Sequence, residues 1–156
     1  MKLATLAIIV KDGRVLLGYK KKGEIGTGTL NGPGGKCDGD ESPLVCVIRE
    51  TKEELDVTLF ADELELVAII TFFAAEKADF MVHIFRTEYF EGEPKETADM
   101  IPGWYPIEEL PFDRMHDSDK KWFARATQGE RFRANVYYRK RAVDFDRIEF
   151  FPLETA

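Results

Sequence analysis

The chain has 156 residues, the size of one ordinary domain, and 44% of them are apolar, enough to bury a core rather than stay disordered. Its 29 acidic residues outnumber 22 basic ones, and a net charge of −7 argues against a general nucleic-acid binder, which would show a basic surface. A small anionic ligand is compatible with that charge where metal cations screen the site.

The opening segment "MKLATLAIIV" is too short to span a membrane and lacks a signal-peptide cleavage region, so Leu3 to Val10 reads as a strand. Asp12-Gly13 is a two-residue hairpin signal, and Arg14 to Tyr19 returns as a second strand. Residues 20–35, "KKKGEIGTGTLNGPGG", hold six glycines, a proline and three lysines and read as a long loop, a candidate for binding. Ser42-Pro43 marks a helix start, and Leu44, Val47, Ile48, Thr51 and Leu55 follow at helical spacing, with the helix ending near Leu55.

Two longer strands are expected at Leu64 to Phe73 and Phe80 to Tyr89. A short strand with a turn and a brief helix is expected over 103–111, and a helix over Asp117 to Gln128. Phe132 to Tyr138 and Phe145 to Phe151 form a closing antiparallel pair. No internal repeat or second domain is visible, so residues 1–156 read as one α+β domain, a mixed sheet with about two helices packed on it. Cys37 and Cys46 lack CxxC spacing and no four-ligand Cys/His cluster is present. A zinc site is not expected, and a reducing cytoplasmic setting is.

Glu50, Glu53 and Glu54 fall within roughly a 100° sector of the first helix, beside its apolar stripe. Unscreened, each like-charge pair destabilises the helix by a few tenths of a kcal/mol, roughly. Oxygen-only ligands of this kind suit Mg²⁺ or Mn²⁺. Taken alone, "RETKEEL" also fits a solvated acidic face. The glycine loop at a fixed offset favours the metal reading: from Gly35 the spacing is G-x5-E-x7-R-E-x2-E-E, through Glu41, Arg49, Glu50, Glu53 and Glu54.

This pattern resembles the signature of the Nudix hydrolase family, G-x5-E-x7-R-E-U-x-E-E-x-G-U, with Val57 at the last aliphatic position. Seven positions match over 23 residues; Thr51 stands where an aliphatic residue is usual, and Asp56 replaces the second glycine. Neither departure is expected to harm catalysis. The resemblance implies the Nudix fold, a mixed sheet sandwiched with helices, and hydrolysis of a nucleoside diphosphate linked to another moiety, with Mg²⁺ (or Mn²⁺) as cofactor. By position it implies that Glu50, Glu53, Glu54 and the Gly34 carbonyl hold metal and that Glu53 or Glu54 is the base. Arg49 would orient Glu53, and Glu41 would lock the loop to the helix.

Beyond the signature, "RVLLGYKKKGEIGTGTLNGPGGK", "ETADMIPGWYPIEELPFDRM" and "DSDKKWF" look like the MutT-type branch that hydrolyses oxidised purine nucleoside triphosphates such as 8-oxo-dGTP. That resemblance implies substrate-binding roles for Thr5, Lys20, Asn31, Gly35, Met100, His116, Ser118 and Asp119, with Asp99 near the metal. Ile25 stands about where a pocket phenylalanine would be. His116 replaces a stacking tryptophan and Ser118 the first of two base-reading aspartates, so hydrolysis of a nucleoside triphosphate to monophosphate and pyrophosphate is implied more firmly than the oxidised base. Another nucleoside diphosphate derivative, or a Nudix-fold binding module without catalysis, are the alternatives. Trp104 and Trp122 read as core residues. The expected partner is a small nucleotide, with no nucleic-acid polymer or membrane, and the expected state is a monomer.

Overall fold

A computed structural model describes residues 1–23 and 27–154; Ile25 lies outside the described residues. Eight strands and two α-helices are present among them: β1 (Lys2–Lys11), β2 (Arg14–Lys20), β3 (Leu30–Asn31), α1 (Pro43–Leu55), β4 (Glu65–Ala74), β5 (Lys77–Thr87), β6 (Met100–Pro106), α2 (Asp119–Thr127), β7 (Phe132–Lys140) and β8 (Val143–Phe151). β1 and β5 run parallel from Lys2↔Phe80 to Ile9↔Thr87, β4 pairs antiparallel with β5 and parallel with β7, and β7 pairs antiparallel with β8. The sheet is therefore mixed, as expected, and the class is α+β.

β1 and β2 pair only at the base of their hairpin, at Val10↔Val15 and Lys11↔Arg14. Beyond that point the strands part. Residues 33–37 fill the wedge along β1: the N–H groups of Ala7 and Thr5 donate to Pro33 O (2.7 Å) and Gly35 O (2.9 Å), and the Cys37 N–H donates to Leu3 O (2.9 Å). The presumed loop thus contains a short strand, β3, and a stretch pinned to β1. The other edge of β2 carries β6.

The period of 2 along β1 sorts its side chains between two cores. Ala7 and Ile9 pack with Val47 and Leu55 of α1, whereas Ile8 and Val10 pack with Trp122 and Phe123 of α2. The helices therefore cover opposite faces of the sheet.

Several boundaries differ from the sequence reading. β5 starts at Lys77 because a two-residue turn joins it to β4, with Ala75 and Glu76 at φ 51° and 66°. That turn carries no glycine or asparagine and left no local signal. β6 starts at Met100 and includes Pro102, which reads as a strand breaker; β6 pairs only with β2, so its outer edge needs no N–H from proline. α2 starts at Asp119, after a turn in which the Asp119 N–H donates to His116 O (3.0 Å).

α1 begins as its sequence dictates: Ser42 Oγ accepts from the Val45 N–H (3.2 Å) and Pro43 occupies the first turn. It ends on Asp56 in the left-handed conformation, φ 58° and ψ 36°. The Asp56 carboxylate meets Lys52 at 2.9 Å and Lys95 at 3.4 Å, contacts that a glycine could not make. Thr51 is fully buried in the helix stripe and its Oγ1 has no hydrogen-bond partner among the described residues. A buried hydroxyl left unpaired costs about 1–3 kcal/mol. Thr51→Val is near isosteric and removes that cost, so it should raise the unfolding free energy by about 1 kcal/mol in a urea titration. An unchanged or lower value would mean that the hydroxyl is satisfied in solution.

Candidate active site

A cleft of about 520 Å³ opens between β1, the glycine segment, α1 and the start of α2. One end is acidic. Glu54 is 6% exposed, and its Oε1 accepts a 2.7 Å hydrogen bond from the Gly34 N–H. Burial pushes the Glu54 carboxyl up to about 7, opposed by that N–H and reinforced by the charge of Glu50. Burial also raises Glu50, with Arg49 opposing.

The two glycines are demanded by space. A Cβ on Gly34 would stand 2.1 Å from Thr5 O, and one on Gly35 would stand 2.6 Å from Glu50 Cδ. Bare backbone is needed to bring the segment against both β1 and the carboxylates.

Arg49 organises this end without lining the cleft. Its Nε and Nη2 donate to the two oxygens of Glu41 at 2.7 and 2.8 Å, a bidentate pair that holds the Glu41 carboxyl down to about 2. Nη1 reaches Glu50 at 3.1 Å and Glu53 at 3.2 Å, and Nη2 reaches the Lys36 carbonyl at 3.3 Å. Glu41 in turn accepts from the Asp38 N–H (3.0 Å). The expected coupling of loop to helix through Glu41 and Arg49 is present. Arg49 also contacts Glu53, but the Glu53 side chain is 54% exposed and lies outside the residues that line the cleft. Asp99 lines the acidic end, its carboxylate 3.4 Å from Lys22.

The other end is apolar, lined by Leu6, Phe72, Val82 and Ile84. Asn31, His116 and Asp119 reach the same space, and Lys20 stands near both ends, its charge acting on Glu54 and on His116. Asp119 is 5% exposed, and its Oδ2 accepts from the His116 N–H (3.2 Å). With the carboxylate so desolvated, burial pushes Asp119 up to about 7. Burial lowers His116, with the Lys20 charge acting in the same direction. Near neutral pH this end therefore presents a neutral imidazole and a carboxyl group able to donate or accept.

Two of the residues expected to bind substrate, Met100 and Ser118, are placed elsewhere, and a third, Thr5, lines the cleft with its hydroxyl turned away. Met100 is buried over Gly18 in the α1-side core, where a Cβ on Gly18 would meet its sulfur; the neighbouring Asp99 faces the cleft instead. Ser118 is fully buried: its N–H donates to the Tyr138 hydroxyl (3.0 Å), which donates to Ser118 Oγ (2.9 Å). It therefore does not pair with Asp119 across the cleft. Thr5 borders the cleft, but its hydroxyl is turned toward Cys46 Sγ (3.4 Å) and Gly35 O (3.5 Å) under α1. Conversely, Trp122 is core, as read, yet it also lines the cleft, and its buried Nε1–H has no partner among the described residues. Its place one helical turn after Asp119 was the available signal.

The donor set suits a hard divalent cation. Glu50 and Glu54 are both raised by burial, and Glu50 further raises Glu54, a conflict that a cation between oxygens relieves.

The fold and this cleft define a class that sequence comparison states directly: the chain belongs to the NUDIX domain family, whose profile matches residues 1–126. An oxidized purine nucleoside triphosphate hydrolase from Danio rerio is 42% identical over 132 residues, covering 84% of this chain and 83% of that protein. The protein of the same name from Mus musculus is 35% identical with the same coverage. A mutator MutT protein from Bacillus halodurans superposes with a TM-score of 0.82 over 96% of this chain and 97% of its own; at 24% identity that likeness speaks for the fold.

Asp119 gives the site a pH signature. Its folded pKa lies above the ordinary value of 3.8, so the stability it contributes is fully present below about pH 4 and is lost as the pH rises to about 7. Asp119→Asn lacks this loss. The difference in Tm, variant minus parent, should be more positive at pH 8 than at pH 5 by scanning calorimetry, and a pH-independent difference would mean that Asp119 titrates normally.

Proposed function

We propose that this protein is a divalent-cation-dependent pyrophosphohydrolase that converts oxidised purine nucleoside triphosphates, such as 8-oxo-dGTP, to the monophosphate and pyrophosphate. The observation that carries the reading is one cleft with a carboxylate end and an apolar end carrying the buried carboxyl of Asp119. The first fits a phosphate chain and the second fits a purine with a polar edge. The named activity of the zebrafish and mouse relatives supports the same substrate class.

In this reading Glu50, Glu54, Glu53, Asp99 and the Gly34 carbonyl hold Mg²⁺, with Mn²⁺ as a substitute. A divalent cation held by these residues would supply neutralisation of phosphate charge and acidification of the attacking water. Glu54, which lines the cleft, would take the proton from water. Arg49 keeps Glu50 and Glu53 oriented. Lys20 steers the phosphates, and Gly35 lets them approach the backbone. Asn31 and Asp119 bond the base edge, and His116 forms its polar wall. Residues 1–156 act as one monomeric domain in the cytoplasm, on free nucleotide rather than on a polymer or a membrane; among the described residues no helix is long and apolar enough to cross a membrane.

A second reading, hydrolysis of a different nucleoside diphosphate derivative, is favoured by His116, whose ring offers a smaller, polar surface for stacking than an indole. Pyrophosphate release with Mg²⁺ from a panel of oxidised and ordinary triphosphates, dinucleotides and nucleotide sugars separates the two. Preferred turnover of 8-oxo-dGTP or another oxidised purine supports the first reading, and preferred turnover of any other compound defeats it. Glu54→Gln should lower kcat by about 10²-fold or more with circular dichroism unchanged. Near-parental turnover would remove Glu54 from catalysis. His116→Trp should tighten binding of oxidised purines several-fold in a competition assay, and unchanged affinity would mean that the base does not stack there.

A further inference from the structure

The chain has two cysteines, nine positions apart, and the fold brings them together under the acidic loop. Cys37 follows the glycine segment and is pinned through its N–H to Leu3 O on β1 (2.9 Å). Cys46 lies in the first half of α1, fully buried against Thr5 Oγ1 (3.4 Å) and Gly35 O (3.5 Å). The two sulfurs and a carboxylate oxygen of Glu41 all lie within 4.8 Å of one another. The acidic signature assigns no task to either thiol.

We propose that Cys37 and Cys46 form a reversible intramolecular disulfide, with a low-molecular-weight disulfide of the glutathione class as oxidant, which staples the glycine segment to α1. Their exposures define an order. Cys37 is half-exposed and Cys46 is buried. The Cys37 thiolate therefore attacks one sulfur of the oxidant, forming a mixed disulfide and releasing one glutathione thiolate. The Cys46 thiolate then attacks the Cys37 sulfur, forming the Cys37–Cys46 bond and releasing the second. The two protein thiol protons pass to the two released thiolates. The pair loses two electrons, and the oxidant becomes two molecules of thiol.

Equilibrium, more than speed, favours this bond in the folded chain. Both sulfurs are already held close by structure outside the ring they would close, so folding itself has removed the loop entropy that closure costs the unfolded chain. Arg49, whose charge acts on Cys37, is engaged bidentately by Glu41. Burial raises both thiols, Cys46 more than Cys37, so the reduced state lacks the thiolate stabilisation that makes a disulfide easily reduced. Scarce thiolate also makes the exchange slow.

The test is a redox titration of the full chain in graded glutathione buffers, acid-quenched and read by intact mass, once in native buffer and once in urea. The oxidised product should be about 2 Da lighter than the reduced chain and monomeric. Half-oxidation of the native chain should occur at a [GSH]²/[GSSG] ratio at least about tenfold higher than that of the unfolded chain, because a disulfide that fits the fold is stabilised by it. An equal or lower native ratio overturns the proposal. So does a native product made only of glutathione adducts or intermolecular dimers. Cys37→Ser and Cys46→Ser should each abolish the lighter species. Should the buried Cys46→Ser fail to fold, Cys37→Ser at the half-exposed position carries the control, and persistence of the lighter species in it also overturns the assignment.

Discussion

The acidic end of this protein depends on the Arg49 guanidinium. Five donors in one rigid fork meet Glu41, Glu50, Glu53 and the Lys36 carbonyl, so a single cation fixes the loop, the helix face and the chain between them. Without it, three glutamates on one helix face would repel one another and the segment before the helix would lose its anchor. A lysine could supply the charge but not the simultaneous planar contacts. Arg49 leaves Glu54 alone, and that carboxylate instead takes the Gly34 N–H. The helix carboxylates are thus divided into two that Arg49 contacts, Glu50 and Glu53, and one that it does not, Glu54.

The parting of β1 from β2 is what makes room for this arrangement. A full-length hairpin would satisfy the inner edge of β1 and close the wedge. Here the hairpin stops after two residue pairs, and backbone from 33–37 takes over the ladder. The same segment then touches β1 on one side and α1 on the other, which is why two glycines are fixed by close approach rather than by turn conformation. Side-chain alternation along β1 completes the layout, sending one set of residues toward α1 and the other toward the apolar end of the cleft.

Much of this was legible in the sequence because it rests on local chemistry. Ser42-Pro43, the stripe through Leu55, the Asp12-Gly13 turn and the spacing from Gly35 to Val57 each specify their element within a few residues. What was not legible depends on facing. Met100 and Ser118 carry the expected residue type or position, but the structure turns one into the α1-side core and gives the other to Tyr138, a partner 20 positions away. Trp122 is the converse case: an indole fits the core and the cleft at once, and no pattern of spacing separates the two. The Ala75-Glu76 turn hid the start of β5 because its residues adopt positive φ without the usual composition. The approach of Cys37 to Cys46 follows from the bend of the glycine segment under α1 and has no signature in their spacing.

The parallel pairing of β1 with β5 also shapes the way the chain reaches its fold. Lys2 aligns with Phe80 and Ile9 with Thr87, so the central ladder joins residues half the chain apart. α1, by contrast, closes on neighbours within its own thirteen residues and its cap. During synthesis the helix bearing the glutamates can form while the first strand still lacks its central neighbour, leaving one edge of β1 uncovered until β5 has emerged. Folding is therefore governed by a late, long-range closure, on the slower scale of non-local β topologies rather than that of helical bundles.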